Sequence, residues 1–168
     1  ANDSFEIETI PRTGYRLMAE SGALVVVTLD ADGQHLPSEM ERLVKPVLDD
    51  EVDVAHGSRV LGDADPNSRS REFGIVLFNK VISFITRTKV SDASNGYRAV
   101  RTDVLKNLQL DQDQFWASEL LIEGMRHRLR IVEVPITIRA RQGGTSKKPK
   151  NAKYAWHFTK AIFKTWLR

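Results

Sequence analysis

The chain has 168 residues, 41% of them hydrophobic, which suits one domain with a sizeable core. It contains no cysteine, and this excludes a disulfide scaffold, a cysteine zinc site and a thiol nucleophile. The net charge of +3 hides an asymmetry: residues 126–168 hold 12 Lys and Arg against the single acid Glu133, a net +11, while the rest of the chain carries −8. A basic tail on an acidic body points to an anionic partner for the tail, whether phosphates, an anionic membrane surface or nucleic acid.

In chain order, the pattern predicts a helix over 13–20 and a strand over 23–29. A helix over 37–48 follows, with Met40, Leu43, Val44 and Val47 on its buried side and Pro46 expected to kink it or end it early. A short strand over 52–56 ends in Gly57-Ser58-Arg59, and a polar loop covers 61–70. The helix over 72–86 is apolar on most of its circumference, which suits the core or a partner interface better than lipid. A strand over 97–100, a brief helix from Thr102, a helix over 115–128 and a strand over 131–139 come next. A Gly/Lys/Pro loop over 142–151 leads to a last helix ending at Leu167. No apolar run is long enough for a transmembrane helix, and the first residues, polar and acidic, do not resemble a signal peptide. This alternation predicts an α/β fold with a mostly parallel sheet flanked by helices.

The segment Val25–Pro37 carries the sharpest chemical signal. An apolar, β-branched run reads as a buried strand, and it ends in oxygen ligands at alternate positions: Asp30, Asp32 and Gln34. Gly33 permits the sharp turn between them, and Pro37 opens the next helix. Ligands of open α/β sheets bind beyond the carboxyl ends of the strands. Two carboxylates there suit a hard divalent cation shared with substrate phosphates, although two Asp and a Gly also make an ordinary turn. His35 reads as a surface or supporting residue rather than a ligand. Arg59, at the end of the second strand, can clamp an anion or form a structural salt bridge. Arg69 and Arg71 stand at the start of a helix, where phosphate is favoured.

The ordered set DADGQHLP, GSR, NGYRAV with an Asp upstream, SELL, EVPI and R-x-x-G-x-S-K resembles the family 2 glycosyltransferases, over about residues 22–147. It is most similar to the branch of dolichol-phosphate mannose synthase and bacterial polyprenyl-phosphate glycosyltransferases. The resemblance implies a GT-A-like, Rossmann-like fold and an inverting transfer from a UDP- or GDP-linked sugar to a polyprenyl phosphate. The enzyme would sit peripherally on the cytoplasmic face of a membrane. It places Mg²⁺ or Mn²⁺ on Asp30, Asp32 and Gln34, and the donor diphosphate on these with Arg59, Arg141, Ser146 and Lys147. Arg69, Arg71 and Arg98 become acceptor-phosphate ligands, with Arg71 the better match of the first two. Asp92 and Glu119 become catalytic candidates. A phosphate monoester, with a second pKa of about 6, is already a nucleophile at neutral pH, so a lipid-phosphate acceptor needs Asp92 for positioning rather than as a base. Glu119 near a helix start is also favourable for dipole reasons alone.

Family members open with a strand carrying Pro-x-Tyr-Asn-Glu or similar, then a helix and a second strand. Residues 1–24 show none of these, so the sheet is expected to be incomplete on its N-terminal side, with self-association one way to cover the edge. Residues 1–150 are expected to form a partial catalytic domain, and 151–168 a basic amphipathic helix. In that helix Tyr154, Phe158, Ile162 and Trp166 lie opposite a basic stripe, which favours a membrane interface over docking on the body. The rival classes are a non-catalytic scaffold subunit and a nucleic-acid module. Nucleic acid is not expected as a partner, because no stacking platform or helix-turn-helix pattern accompanies the charge.

Overall fold

The computed structural model describes residues 10–64, 72–112, 115–140 and 152–168. Its elements are α1 (Ile10–Glu20), β1 (Val25–Thr28), α2 (Met40–Leu48), β2 (Val54–Ala64), α3 (Glu72–Thr86), β3 (Arg98–Arg101), α4 (Thr102–Leu105), α5 (Trp116–Arg126), β4 (Ile131–Ile138) and α6 (Ala152–Trp166). A short 3-10 turn, Pro37–Glu39, leads into α2, with proline in its first turn as its fixed φ favours. Pro46 lies inside α2 without breaking it. It falls in the last turn, and the chain closes the end with Asp49 N–H on the Lys45 carbonyl at 2.9 Å.

The four strands form one sheet in the order β1-β3-β2-β4. β1, β2 and β4 share a direction, and β3 runs against both of its neighbours, so only the β2–β4 ladder is parallel. The mostly parallel expectation therefore holds for strand direction and is corrected for the ladders. The reason lies in the connection after Asn95-Gly96, which returns the chain between β1 and β2 in the opposite sense.

Alternation sets the two faces of the sheet. Val26, Val54 and Val100 meet Tyr15, Val104, Leu105 and Leu120 of the helices on one side. Ala55, Ala99 and Ile136 meet Leu43 and Val47 of α2 on the other. β2 extends beyond its predicted end into the polar loop. Its pairing with β4 shifts register between Ser58 and Asp63, then resumes as Asp63↔Thr137. Gly62 makes this possible: a Cβ there would lie 2.1 Å from the Ile136 carbonyl oxygen.

The third apolar cluster joins α3, α5 and α6. Phe158 and Ile162 of α6 pack with Ile82, Phe115, Leu121 and Ile122, and the Phe158 ring meets Phe78 edge-on at 4.6 Å. The last helix is thus docked on the body, and Thr165 is also buried. A second stripe of α6 stays in solvent: Trp156 (68% exposed), Phe163 and Leu167, with Lys160 and Lys164 between them. On α3, Val76 and Phe84 (87% exposed) are outward, with Lys80. The long helix is buried on one side only. Among the described residues no helix is long and apolar enough to cross a membrane.

Candidate functional site

Two loops meet at the carboxyl ends of β1 and β2. The first follows β1 and carries Asp30, which is exposed, and Asp32, which is half-buried. Gly33 turns it with φ 75°, a conformation that disfavours other side chains. The Gln34 N–H donates to Asp32 Oδ1 at 3.1 Å and fixes that carboxylate. The Asp30 N–H donates to His35 Nδ1 at 3.1 Å.

The second loop runs from Ser91 to Tyr97 and is pinned along its length. Ser91 and Asp92 N–H donate to Glu133 of β4 at 2.9 and 3.2 Å. Asn79 of α3 bonds both the Ser91 carbonyl and the Ala93 N–H. Tyr97 N–H donates to Asn95 Oδ1 at 2.9 Å, and Thr28 Oγ1 donates to the Gly96 carbonyl at 2.8 Å. Gly96 consequently lies against the first loop: a Cβ there would be 2.8 Å from Asp30 Oδ1. A larger residue at 96 would push the Asp30 carboxylate aside.

Asp92 and Arg59 are brought together and satisfy each other. Arg59 Nε donates to Asp92 Oδ2 at 2.7 Å and its NH2 to Oδ1 at 2.9 Å, a two-pronged pair. The Arg59 backbone N–H adds a third bond at 3.1 Å. Asp92 is wholly buried. Burial pushes its carboxyl up, but the Arg59 bonds and charge outweigh this and hold it below the usual carboxylate range. His56 Nε2–H donates to the Asp92 carbonyl at 2.6 Å, and its ring is also wholly buried. Desolvation, then the Arg98 charge, lower the His56 pKa to about 3, so the ring is neutral.

Two expected site residues are corrected. Arg98 does not face an acceptor. It is fully buried beneath Trp116, with its Cζ 5.3 Å from the ring centroid, and it donates to the carbonyls of Ala117 and Asn95. Strand alternation turns it to the face of the sheet opposite Tyr97 and Ala99, and both faces are covered there. Glu119 does not face the cleft either. It is 1% exposed and accepts the N–H groups of Asp111 and Gln112 at 2.9 and 2.7 Å, with Arg168 at 3.1 Å. Burial raises its pKa, opposed by those bonds. It anchors the segment before α5 to the end of α6.

Gln34 Nε2 donates to the Arg139 carbonyl at 3.0 Å, bracing the first loop against the end of β4. Arg69, Arg71, Arg141, Ser146 and Lys147 lie outside the described residues. Glu133 of β4 and Asn79 of the apolar helix α3 join the site without a motif role to announce them, and His35, expected at the surface or in a supporting place, is buried with its ring on the first loop. A polar residue in such a helix, and an acid in a strand, were the available signals.

Among the described residues no group of three or more carboxylate or imidazole side chains could hold a metal by itself. The donor set that is present, Asp30 and Asp32 with the Gln34 amide beside them, fits a hard cation whose remaining ligands come from a bound diphosphate and water.

The architecture matches that of known sugar-transfer enzymes. It superimposes on glucosyl-3-phosphoglycerate synthase from Mycobacterium tuberculosis, in complex with Mn²⁺, UDP and glucosyl-3-phosphoglycerate, with a TM-score of 0.67 at 14% identity, over 94% of this chain and 55% of that one. This likeness gives the fold class, GT-A. The model of glycosyl transferase family 2 matches residues 16–109, and the chain belongs to that family. Relatives include a dolichyl-phosphate hexose transferase of Haloferax volcanii, 32% identical over 85% of this chain and 64% of that protein. Another is a polyprenol monophosphomannose synthase of Mycolicibacterium smegmatis, 34% identical over 75% of this chain and 49% of that protein. The chain spans about half to two thirds of the length of these relatives.

Proposed function

We propose that this chain carries the metal and acceptor side of a metal-dependent, inverting transfer of a sugar from a nucleotide-sugar to a polyprenyl phosphate. The observation that supports this reading is the Asp30–Asp32 pair at the end of β1, on a turn that His35 and the Gln34 N–H brace and that lies against the second loop at Gly96. Asp30, Asp32 and Gln34 would hold Mg²⁺ or Mn²⁺, and the ion would neutralise charge on the departing nucleoside diphosphate.

The state of Asp92 bears on the acceptor. A carboxylate held low by Arg59 is a poor base. A hydroxyl acceptor would need a base there, whereas a phosphate acceptor would not. The pair instead fixes the loop that faces Asp30, and the names of the relatives agree with a lipid-phosphate acceptor. Arg69 and Arg71 are the proposed acceptor-phosphate ligands, and Arg141, Ser146 and Lys147 the proposed donor ligands.

The exposed apolar and lysine stripes of α3 and α6 support contact with an anionic membrane surface. α6 would offer its outer stripe while its inner one stays in the body. The test is transfer from UDP- and GDP-sugars to undecaprenyl phosphate with Mn²⁺, followed as sugar-labelled lipid. Metal-dependent product supports the proposal. Donor binding with neither transfer nor hydrolysis would instead favour a non-catalytic scaffold.

A further inference from the structure

His35 belongs to neither loop's chemistry as read so far, yet it touches both. Its Nδ1 accepts the Asp30 backbone N–H at 3.1 Å, so that nitrogen carries no proton. The Asn95 side chain bonds the ring, and Asn95 also accepts the Tyr97 N–H in the second loop. The imidazole lies on the Tyr97 ring, with centroids 5.0 Å apart, and the Tyr97 hydroxyl donates to the Leu36 carbonyl at 3.0 Å. The His35 backbone pairs with Ile138 at the end of β4. The residue is 6% exposed.

A surface histidine in a turn does not gather this many partners. The Asp30 N–H stands at the point where β1 ends, and the direction of the Asp30 carboxylate depends on the backbone there. A backbone amide left unpaired at that point would be free to rotate toward water and carry the carboxylate with it.

We propose that His35 is a positioning residue that holds the Asp30 carboxylate in metal-binding geometry by accepting its backbone N–H at Nδ1. The proposal rests on the metal reading above. Outer partners of metal ligands typically change affinity by about 10–100-fold when removed. The conservative replacement is defined by atom position: an asparagine oxygen falls near Nδ1, whereas a glutamine oxygen falls near Nε2.

The test measures Mn²⁺ affinity, alone and with UDP, by the electron paramagnetic resonance signal of the free ion. Hydrogen exchange at the Asp30 amide is followed in parallel. His35→Leu should weaken Mn²⁺ by about tenfold or more and expose the amide to exchange. His35→Asn should stay within about threefold of the unchanged chain and keep the amide protected. If His35→Leu does not fold, the comparison of His35→Asn with His35→Gln decides, because only the former restores the acceptor. Equal Mn²⁺ affinity in Leu and unchanged chains, or in the Asn and Gln variants, overturns the proposal. A protected Asp30 amide in His35→Leu overturns it as well. An unchanged chain that binds no Mn²⁺ with or without UDP is a different failure: it overturns the metal reading and the proposal with it.

Discussion

The turn after β1 and the buried anchors elsewhere in the molecule use the same chemical group in opposite ways. Asp30 is exposed and Asp32 half-buried, and the turn that carries them is held by His35 and by the Gln34 N–H on Asp32. Asp92 and Glu119 are buried, and their oxygens are spent on Arg59, Arg168 and backbone N–H groups. The difference teaches which acids can serve a ligand. A buried carboxylate must be paired to be tolerated, and a paired one has little left to offer a substrate. An exposed one on a rigid turn is costly to nothing in the fold and available to a cation.

The comparison breaks most visibly at Asp92. Asp92→Asn removes one partner of a buried pair, so we expect a loss of about 3 kcal/mol or more in urea unfolding. Retention of full stability would show that the Arg59 pair is dispensable and that Asp92 is free for chemistry.

A change of similar size is expected at the far cluster. Phe158→Ala should cost about 3 kcal/mol, because the ring fills the contact between α3, α5 and α6. Trp156→Ala, on the outer stripe, should change stability by less than about 0.5 kcal/mol but reduce co-sedimentation with anionic vesicles. Unaltered vesicle binding in Trp156→Ala would count against the membrane face.

The pH dependence sharpens the contrast further. His56 titrates near its ordinary value of about 6.5 in the unfolded chain, while its folded pKa is lowered to about 3. The unfolded state therefore binds the extra proton between these values, and stability falls as pH drops through that window. The slope should be about 1.4 kcal/mol per pH unit from this residue. Asp92, also lowered when folded, loses its contribution only as the pH falls through its own low value. His56→Gln should flatten the curve between pH 6 and about 4. An unchanged slope in that variant would remove His56 as its source.

The smallest expected change in stability is at Asp32. Asp32→Asn should alter unfolding by less than about 0.5 kcal/mol while abolishing Mn²⁺-dependent binding of a nucleotide-sugar in calorimetric titration. A stable variant with undiminished metal-dependent binding would sink the Asp30–Asp32 assignment.

Much of this was legible in the sequence, and the limits have physical causes. The helix over 72–86 and the strand before Asp30 follow from local apolar pattern, so their positions matched closely. The antiparallel course of β3 did not, because strand direction depends on which neighbours a segment meets, not on its own alternation. The extension of β2 to Ala64 was hidden by Gly62 and Asp63, residues that read as loop until Ile136 is known to pass beside the glycine. Asp30, Asp32 and Gln34 stand out in the sequence because alternate oxygens after a strand are a short-range signal. Glu119 and Arg98 were misjudged because burial is a long-range property. Their motifs mark anchors as readily as ligands. The outer face of α6 was visible as an aromatic and basic helix, but one helix can have two apolar stripes, and the sequence did not separate the docked one from the exposed one.

The Glu133 bond to the Ser91 and Asp92 amides also sets an order of assembly. β4 pairs with β2 across a long separation, with Ile131 beside Val54, and contacts so distant along the chain form late. The loop that faces Asp30 receives its anchor from that late strand. During synthesis the Asp-x-Asp turn leaves the ribosome roughly a hundred residues before the acid that fixes its opposing loop. A nascent chain should thus carry Asp30 and Asp32 well before the loop opposite them is fixed, and gain that anchor in a single step when β4 docks.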